Sequence, residues 1–434
     1  MEKWYKNPIE AAVRPCYDRG PIKKGGGRMT ADRERRAASP VVLAAAVTAL
    51  CMVGDSMLYV VLPVHWEEFG LNAFWQAGLL LSVNRFVRLP LNPLVSRLYR
   101  RLSARSGMLG AAVLACATTA GYGLAGTFWA LLALRALWGL AWTFLRLGAY
   151  FTVMETADAS RRGRAMGLYN GLMRTGSLFG MLLGGFLADS LGTAWTCAVF
   201  AAVSLAAFPL ILAAVPASAR GMAADAAEED GFSLAAHWRV LAVLAVGTAV
   251  AFVYQGMLVS TVSYLVKVRF PEGLALGGLV LGAASLGGVL QAVRWTWEPW
   301  LAPFCGWLSD RPGGRKRLFV GTSVCGAACF AALPGAWPPA LWLALILAAE
   351  AAATSLTTVG DAVAADTAAH SARVKVMTLY SMLTDVGAAA GPAAAFLLNG
   401  PETPWASCTL AAVLLLAGAA LYLAAGPRPA DASS

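Results

Sequence analysis

The chain has 434 residues, of which 58% are hydrophobic and only 13% charged, and its mean hydropathy is +0.62. That balance excludes an ordinary water-soluble globular protein and requires burial in lipid. The net charge of +10 collects in particular loops, as set out below, so it makes no case for a nucleic-acid partner.

Residues 1–39 are polar, basic and punctuated by glycine, without the apolar stretch of a signal peptide, and are expected to form a disordered cytoplasmic tail. The run from Lys23 to Arg28, just before Met29, back-translates to purine-rich DNA like that of a ribosome-binding site. It points to a start at Met29, with a basic tail on an anionic membrane surface as the equal alternative. Apolar runs of the roughly 20 residues needed to cross a core of about 30 Å then recur along the chain. In a first half over residues 40–215 they are Pro40 to Val64, Phe74 to Leu98, Gly107 to Ala125, Trp129 to Met154, Arg164 to Ala188 and Thr193 to Val215. A polar linker over 216–238 carries Glu228, Glu229 and Asp230. In a second half over 239–425 the runs are Val240 to Val266, Gly277 to Leu308, Leu318 to Pro334, Trp337 to Val363, Val376 to Leu398 and Ser407 to Ala425, followed by a cytoplasmic tail over 426–434.

Basic residues fall in alternate loops. Arg97, Arg100, Arg101 and Arg105 follow the second span, and Arg161, Arg162 and Arg164 precede the fifth. Arg311, Arg315, Lys316 and Arg317 follow the eighth, and Arg373 and Lys375 precede the eleventh. This asymmetry predicts that those loops and both termini are cytoplasmic, in a multi-pass protein of the inner (plasma) membrane. The other loops carry Glu67, Glu68 and Glu402, with Lys267 and Arg269 as exceptions. The eight cysteines show no metal or disulfide spacing. His65, His237 and His370 sit at a span end and in loops, where solvated surface roles are expected and no metal site.

The two halves repeat one another with charges reversed. A displacement of 211 positions lays Met166, Leu168, Tyr169, Leu172, Gly176 and Gly180 on Met377, Leu379, Tyr380, Leu383, Gly387 and Gly391, and Arg174 on Asp385. A displacement of 210 lays Leu91, Pro93, Leu98, Arg101 and Arg105 on Leu301, Pro303, Leu308, Arg311 and Arg315, and sets Arg88 against Glu298. Near 200 the match is weaker, with Asp55 opposite Gln255. Long internal repeats of this kind mark transporter folds.

The run GWLSDRPGGRKR, with Gly306, Asp310, Arg311 and Arg315, resembles the loop signature of the major facilitator superfamily. The small residue suits tight helix packing, the Asp is placed to meet a neighbouring helix N-terminus, and the basic residues hold the loop inside. Its first-half counterpart has Ser96 and Arg100 where Gly and Asp are usual. Gly167, Gly176, Gly180, Gly184 and Gly185 resemble the fifth-helix motif of the superfamily's drug:proton antiporters, with Met181 in place of proline. Ordinary close packing of membrane helices accounts for the same spacing. Arg135 with Gly139 resembles the fourth-helix motif, whose arginine is tied to proton transfer, although Trp138 replaces the usual Gln. The resemblance covers residues 40–425. It implies an all-α membrane protein of about twelve transmembrane helices in two pseudo-twofold-related six-helix halves. It further implies a monomeric secondary transporter whose partners are a small-molecule substrate, protons and membrane lipid, with no cofactor.

Ionisable groups inside lipid are functional candidates. Asp55 and Arg135 are assigned to proton coupling, because they share a depth on the first and fourth helices, which the resemblance to the superfamily implies are neighbours. Asp55 lies about 22 Å from the cytoplasmic start of its span and Arg135 about 9 Å from the extracellular start of its own. A carboxylate held against an arginine resists protonation, and separating them eases it, which is how a proton is exchanged for a substrate. Arg85, Gln255 and Glu350 are assigned to the substrate cavity, whereas Arg146 and Asp361, near helix ends, are read as snorkelling. Since the second helix faces the eleventh and the fifth the eighth in the superfamily, the reversed charges predict two mid-membrane salt bridges between halves, Arg88 with Asp385 and Arg174 with Glu298. No GxxxxGK[ST] loop occurs, so ATP-driven transport and enzymatic activity lack support. The expected function is proton-coupled antiport exporting a small organic molecule. Import or facilitated passage of an anionic metabolite, and a non-transporting receptor or scaffold, are the alternatives.

Overall fold

A computed structural model describes residues 27–157, 162–215, 238–276, 278–369 and 373–425. The expected disorder of residues 1–26, the linker over 216–237, the tail over 426–434, and His237 and His370 lie outside the described residues. Twelve spans cross the described part, nearly all of it helical. Helix α1 (Gly27–Val61) is followed by α2 (Phe74–Leu98), α3 (Ala104–Leu124), α4 (Phe128–Thr156) and α5 (Arg162–Leu191). The sixth span, α6, is Thr193–Leu205 continued past Ala206 by Ala207–Ala214. The seventh, α7, runs Trp238–Val250, then a π-helical segment Ala251–Leu258, then Val259–Arg269. Then come α8 (Ala283–Ser309), α9 (Gly314–Ala332), α10 (Pro339–Ala369), α11 (Arg373–Leu398) and α12 (Trp405–Ala425). Helices are forced by the solvent, since lipid offers no partner to a backbone N–H or C=O.

Two boundaries depart from the sequence reading. The first helix begins at Gly27, so residues 27–39 are helical rather than disordered; this Ala-, Arg- and Glu-containing stretch favours helix, and Pro40 is accommodated inside it. The eighth span begins at Ala283 rather than Gly277, because Leu274–Leu276 (β1) and Leu279–Leu281 (β2) pair as an antiparallel hairpin with Leu274 opposite Leu281. Gly278, at φ 89°, supplies the positive φ that the tight turn needs.

In the first half α1 packs along α5, and α4 against α2 and α3; in the second α11 packs along α7, and α9 against α10 and α12. The halves meet as α2 on α11 and α5 on α8. Both contacts lie at the end bearing the α1–α2 loop and the hairpin, where small residues let backbones touch. A Cβ at Gly78 would strike Pro392 and Phe396, one at Gly185 would strike Ala284, and one at Gly288 would strike Met181. Phe74 also packs on Phe396, with ring centroids 4.8 Å apart, and Ser82 Oγ accepts a 2.9 Å bond from the Ala393 N–H. Toward the opposite end the halves part. Pro90 and Pro93 in α2 and Pro299 and Pro303 in α8 occupy that diverging portion. Such prolines remove backbone hydrogen bonds and bend a helix. The gap is a cavity of about 670 Å³ between Asn92, Arg146 and Tyr150 on one side and Met377, Ser381 and Asp385 on the other.

Candidate functional site

Behind the closed end of the cavity, Asp55 of α1 and Arg135 of α4 form an ion pair, with Asp55 6% and Arg135 1% exposed. Asn84 Nδ2 of α2 donates to Asp55 Oδ1 at 3.1 Å, and Arg135 Nε donates to the Leu80 carbonyl at 2.9 Å. The glycine of the fourth-helix motif explains the fit. A Cβ at Gly139 would collide with the Asn84 carbonyl, so only glycine lets α4 approach α2 closely here. The pair is thus tied to three helices at once.

The second half carries a counterpart that the sequence reading did not anticipate. Arg294 of α8 contacts Glu350 of α10 at 3.1 Å, with side chains 6% and 0% exposed. The repeat held the signal, since the 210-residue displacement puts Arg294 in the place of Asn84, and a displacement of 211 puts Glu350 in the place of Gly139. Position 84 faces position 139 in one half, and position 294 faces position 350 in the other. Glu350, expected in the substrate cavity, is instead fully buried on Arg294.

Arg85 is not free in the cavity either. Its Nε donates to Tyr59 Oη at 3.4 Å and its Nη2 to the Gln255 carbonyl at 3.5 Å, which joins the first half to the π-helical part of α7. Gln255 therefore participates here through its backbone. Arg88 does not pair with Asp385. Its guanidinium lies 5.0 Å from the ring centroid of Trp142 on α4, and its buried Nε has no hydrogen-bond partner among the described residues. The reason is the splay of the halves, for α2 and α11 touch at the sealed end and separate before they reach Asp385, which lines the open cavity beside Arg146. Arg146 Nε donates to Tyr150 Oη at 3.0 Å.

Arg174 and Glu298 do meet across the halves. Yet the side chains are 51% and 25% exposed, so the pair stands at an open margin of the interface rather than buried within it. Arg174 also lies over Trp295, 5.4 Å from its centroid. Asp361 accepts a 3.0 Å bond from Tyr380 Oη rather than snorkelling free.

The glycine and loop motifs resolve residue by residue. A Cβ at Gly176, Gly180 or Gly184 would strike Ala49, Val53 or Met57 of α1 in turn, and Gly185 sits against α8. Gly167 has open space around it, so the packing role expected for it is absent here. Gly306 likewise has nothing within 4 Å. Asp310 meets Arg315 Nη2 at 3.4 Å rather than a neighbouring helix N-terminus. Arg315 reaches on to Asp366 of α10, and Arg311 lies 3.9 Å over the Trp307 ring. With the halves parted at this end, the loop is held by its own half.

At the sealed end, His65 is no solvated surface group. Its Nδ1 meets Glu68 at 2.7 Å and its Nε2 meets Asp189 of α5 at 3.1 Å. Two carboxylate partners suit the doubly protonated ring, which donates from both nitrogens. Partial burial opposes that charge, but the hydrogen bonds to Asp189 and Glu68 outweigh it and hold the His65 pKa above its ordinary value. Asp189 also accepts 2.7 Å bonds from the N–H and Oγ of Ser285, so it caps α8 across the halves. Lys267 of α7 donates to the Val64 carbonyl at 2.5 Å beside it. No group of three or more His, Cys, Asp and Glu is placed to hold a metal among the described residues.

Two six-helix halves, sealed at one end and parted at the other around a cavity, with ion pairs buried behind its closed end, define a membrane transporter. The chain belongs to the Major Facilitator Superfamily, whose family profile matches residues 44–349 and 298–434. It is 26% identical over 295 residues to the multidrug resistance protein MdtG of Proteus mirabilis (strain HI4320), covering 67% of this chain and 71% of that one. A crystal structure of a bacterial homologue of the human lysosomal transporter Spinster, inward-facing and unoccupied, has the same fold. Its TM-score is 0.68 at 17% identity, over 90% of this chain and 97% of the other. The nucleoside transporter NupG matches with a TM-score of 0.71 at 12% identity, over 90% and 99%.

Proposed function

We propose that this transporter is a proton-coupled antiporter that exports a small organic molecule by alternating access, acting as a monomer in the inner membrane with both termini cytoplasmic. The observation that carries this reading is the buried pair of Asp55 and Arg135, bound by Asn84 and the Leu80 carbonyl behind the cavity. A charge pair in lipid is costly, and one partner with an exchangeable proton gives it a use. Movement of α4 against α1 separates the two and lets Asp55 take a proton, and return movement expels it. The basic loops assign the parted end to the cytoplasm, so the cavity in this state faces inward. The named role of the 26% identical relative agrees with export of organic compounds.

Reconstituted protein under an imposed pH gradient tests the reading. Wild type is expected to accumulate a transported organic compound against its gradient, and Asp55→Asn to lose gradient-driven accumulation while keeping passive exchange. Undiminished accumulation by Asp55→Asn removes the pair from proton coupling.

A further inference from the structure

Arg146 lines the cavity on its first-half side, Arg88 lies one turn of α2 beyond the lining residue Asn92, and Arg85 lies about one turn deeper; none of the three has an ion-pair partner among the described residues. Arg85 and Arg88 are three residues apart on α2 and so share a face. Arg88 covers the ring of Trp142, and Arg146 lies one turn beyond Trp142 on α4, toward the cavity mouth. Arg146 is satisfied by Tyr150 and Arg85 by Tyr59 and Gln255, all neutral groups. The buried Nε of Arg88 has no hydrogen-bond partner among the described residues. Other arginines within the spans behave differently. Arg135 has Asp55, Arg174 has Glu298 and Arg294 has Glu350. Unneutralised cations at this depth are costly, and a static fold gains nothing from leaving Arg88 without an acceptor.

We infer that Arg88, flanked by Arg146, binds the carboxylate of an amphiphilic organic acid in the inward-facing cavity. The chemistry favours a carboxylate, because the planar guanidinium fork matches it in two parallel hydrogen bonds, and the Trp142 ring, 5.0 Å from the guanidinium, supports the group from one side. An apolar body is favoured by the rest of the lining, where Leu147, Met377 and Met382 face the same space, and methionines adapt to varied shapes. A volume of about 670 Å³ admits such a molecule. Asp385, on the opposite wall, is too far for an ion pair with Arg88 and discourages a second anionic group near it. The inference rests on the transporter reading, but needs no particular coupling ion or direction.

Calorimetric titration of the purified full chain in phosphatidylcholine nanodiscs tests it with 1-naphthoate and its neutral isostere 1-naphthamide, in the absence of any gradient. Wild type is expected to bind naphthoate at least about tenfold more tightly than naphthamide. Arg88→Gln is expected to bring that ratio near one, and Arg88→Lys, which keeps the charge without the fork, to leave an intermediate ratio. If Arg88→Gln does not fold, Arg146→Gln serves in its place and is expected to lower the ratio at least about threefold. Equal binding of the two probes by wild type overturns the inference, as does an unchanged ratio in the folded variants. Loss of naphthoate binding when anionic phosphatidylglycerol is added to the disc assigns the site to lipid headgroups and overturns it also. Anion binding without pH-driven transport fails the antiport reading and leaves this site standing; pH-driven transport with no anion preference does the reverse.

Discussion

Breaking the Arg294–Glu350 pair is expected to damage the fold more than replacing it. The two side chains are 6% and 0% exposed and 3.1 Å apart, so neither charge has access to bulk water. Glu350→Leu leaves Arg294 buried without its carboxylate, and removing one partner of a buried pair costs about 3 to 5 kcal/mol. At 1.4 kcal/mol per decade, the unfolding equilibrium shifts by roughly two to four powers of ten. Arg294→Met with Glu350→Leu removes both charges and fills similar volume, so the double variant is expected to lie within about 1 kcal/mol of wild type. Denaturant titration in mixed micelles, followed by circular dichroism, measures wild type, Glu350→Leu, Arg294→Met and the double variant, and proteoliposome transport is assayed alongside. Retained transport in the double variant marks the pair as an element of packing, and loss with full stability marks it as functional. A double variant as unstable as the sum of its singles refutes the argument, since the charges would then not be compensating each other.

The half-exposed Arg174–Glu298 pair is expected to show a coupling of only about 0.2 to 1 kcal/mol in a double-mutant cycle read by the same titration; a value near that of a buried pair contradicts its placement at an open margin. Gly176→Ala is expected to cost about 1 to 3 kcal/mol because its methyl meets the Ala49 backbone, while Gly167→Ala, in open space, stays within about 0.5 kcal/mol; equal effects in thermal melts dismiss the packing account. The seal around His65 is expected to loosen as pH rises. Its charged ring faces Glu68 and Asp189, with the Lys267 ammonium on the adjacent Val64 carbonyl, and its pKa is raised, so the contribution is complete below about 6.5 and is lost as pH climbs through the raised value. Maleimide labelling of Gln255→Cys from the His65 side, in a cysteine-free background, is expected to accelerate across that window more steeply than the rising thiolate fraction alone requires, and to fall back to that intrinsic dependence in the His65→Gln background; identical profiles in the two backgrounds contradict the argument.

Much of the architecture was legible because lipid makes a span's length and apolarity decisive. The meeting of Asp55 with Arg135 followed from a shared depth on two helices that are neighbours in the superfamily. Depth was also why Arg88 with Asp385 failed. Equal height says nothing about lateral separation, and in this state α2 and α11 diverge between Gly78 and Asp385. Asn84, Tyr59 and the Arg294–Glu350 pair were overlooked for a different reason. Neutral polar residues leave a weak mark in an apolar sequence, and the repeat exchanges their chemistry, placing an arginine where its partner half has an amide and a glutamate where it has a glycine. The second strand of the hairpin, Leu279–Leu281, was concealed inside a run apolar enough to pass for helix, with only the paired glycines at 277 and 278 to betray a turn.

The clasp from Arg85 to α7 ends on a main-chain oxygen, that of Gln255, within the π-helical turn. Inheritance therefore treats its two ends unequally. Any codon change at 85 that removes the guanidinium deletes the donor, whereas replacing the side chain at 255 leaves the acceptor oxygen in the polypeptide. A substitution scan is expected to credit the contact to α2 alone and to score Gln255 as tolerant. Only a lesion that alters the winding, such as deletion of one residue between Ala251 and Leu258 to restore the ordinary α-helical turn, turns that oxygen away, so this connection is guarded by reading-frame length more than by residue identity.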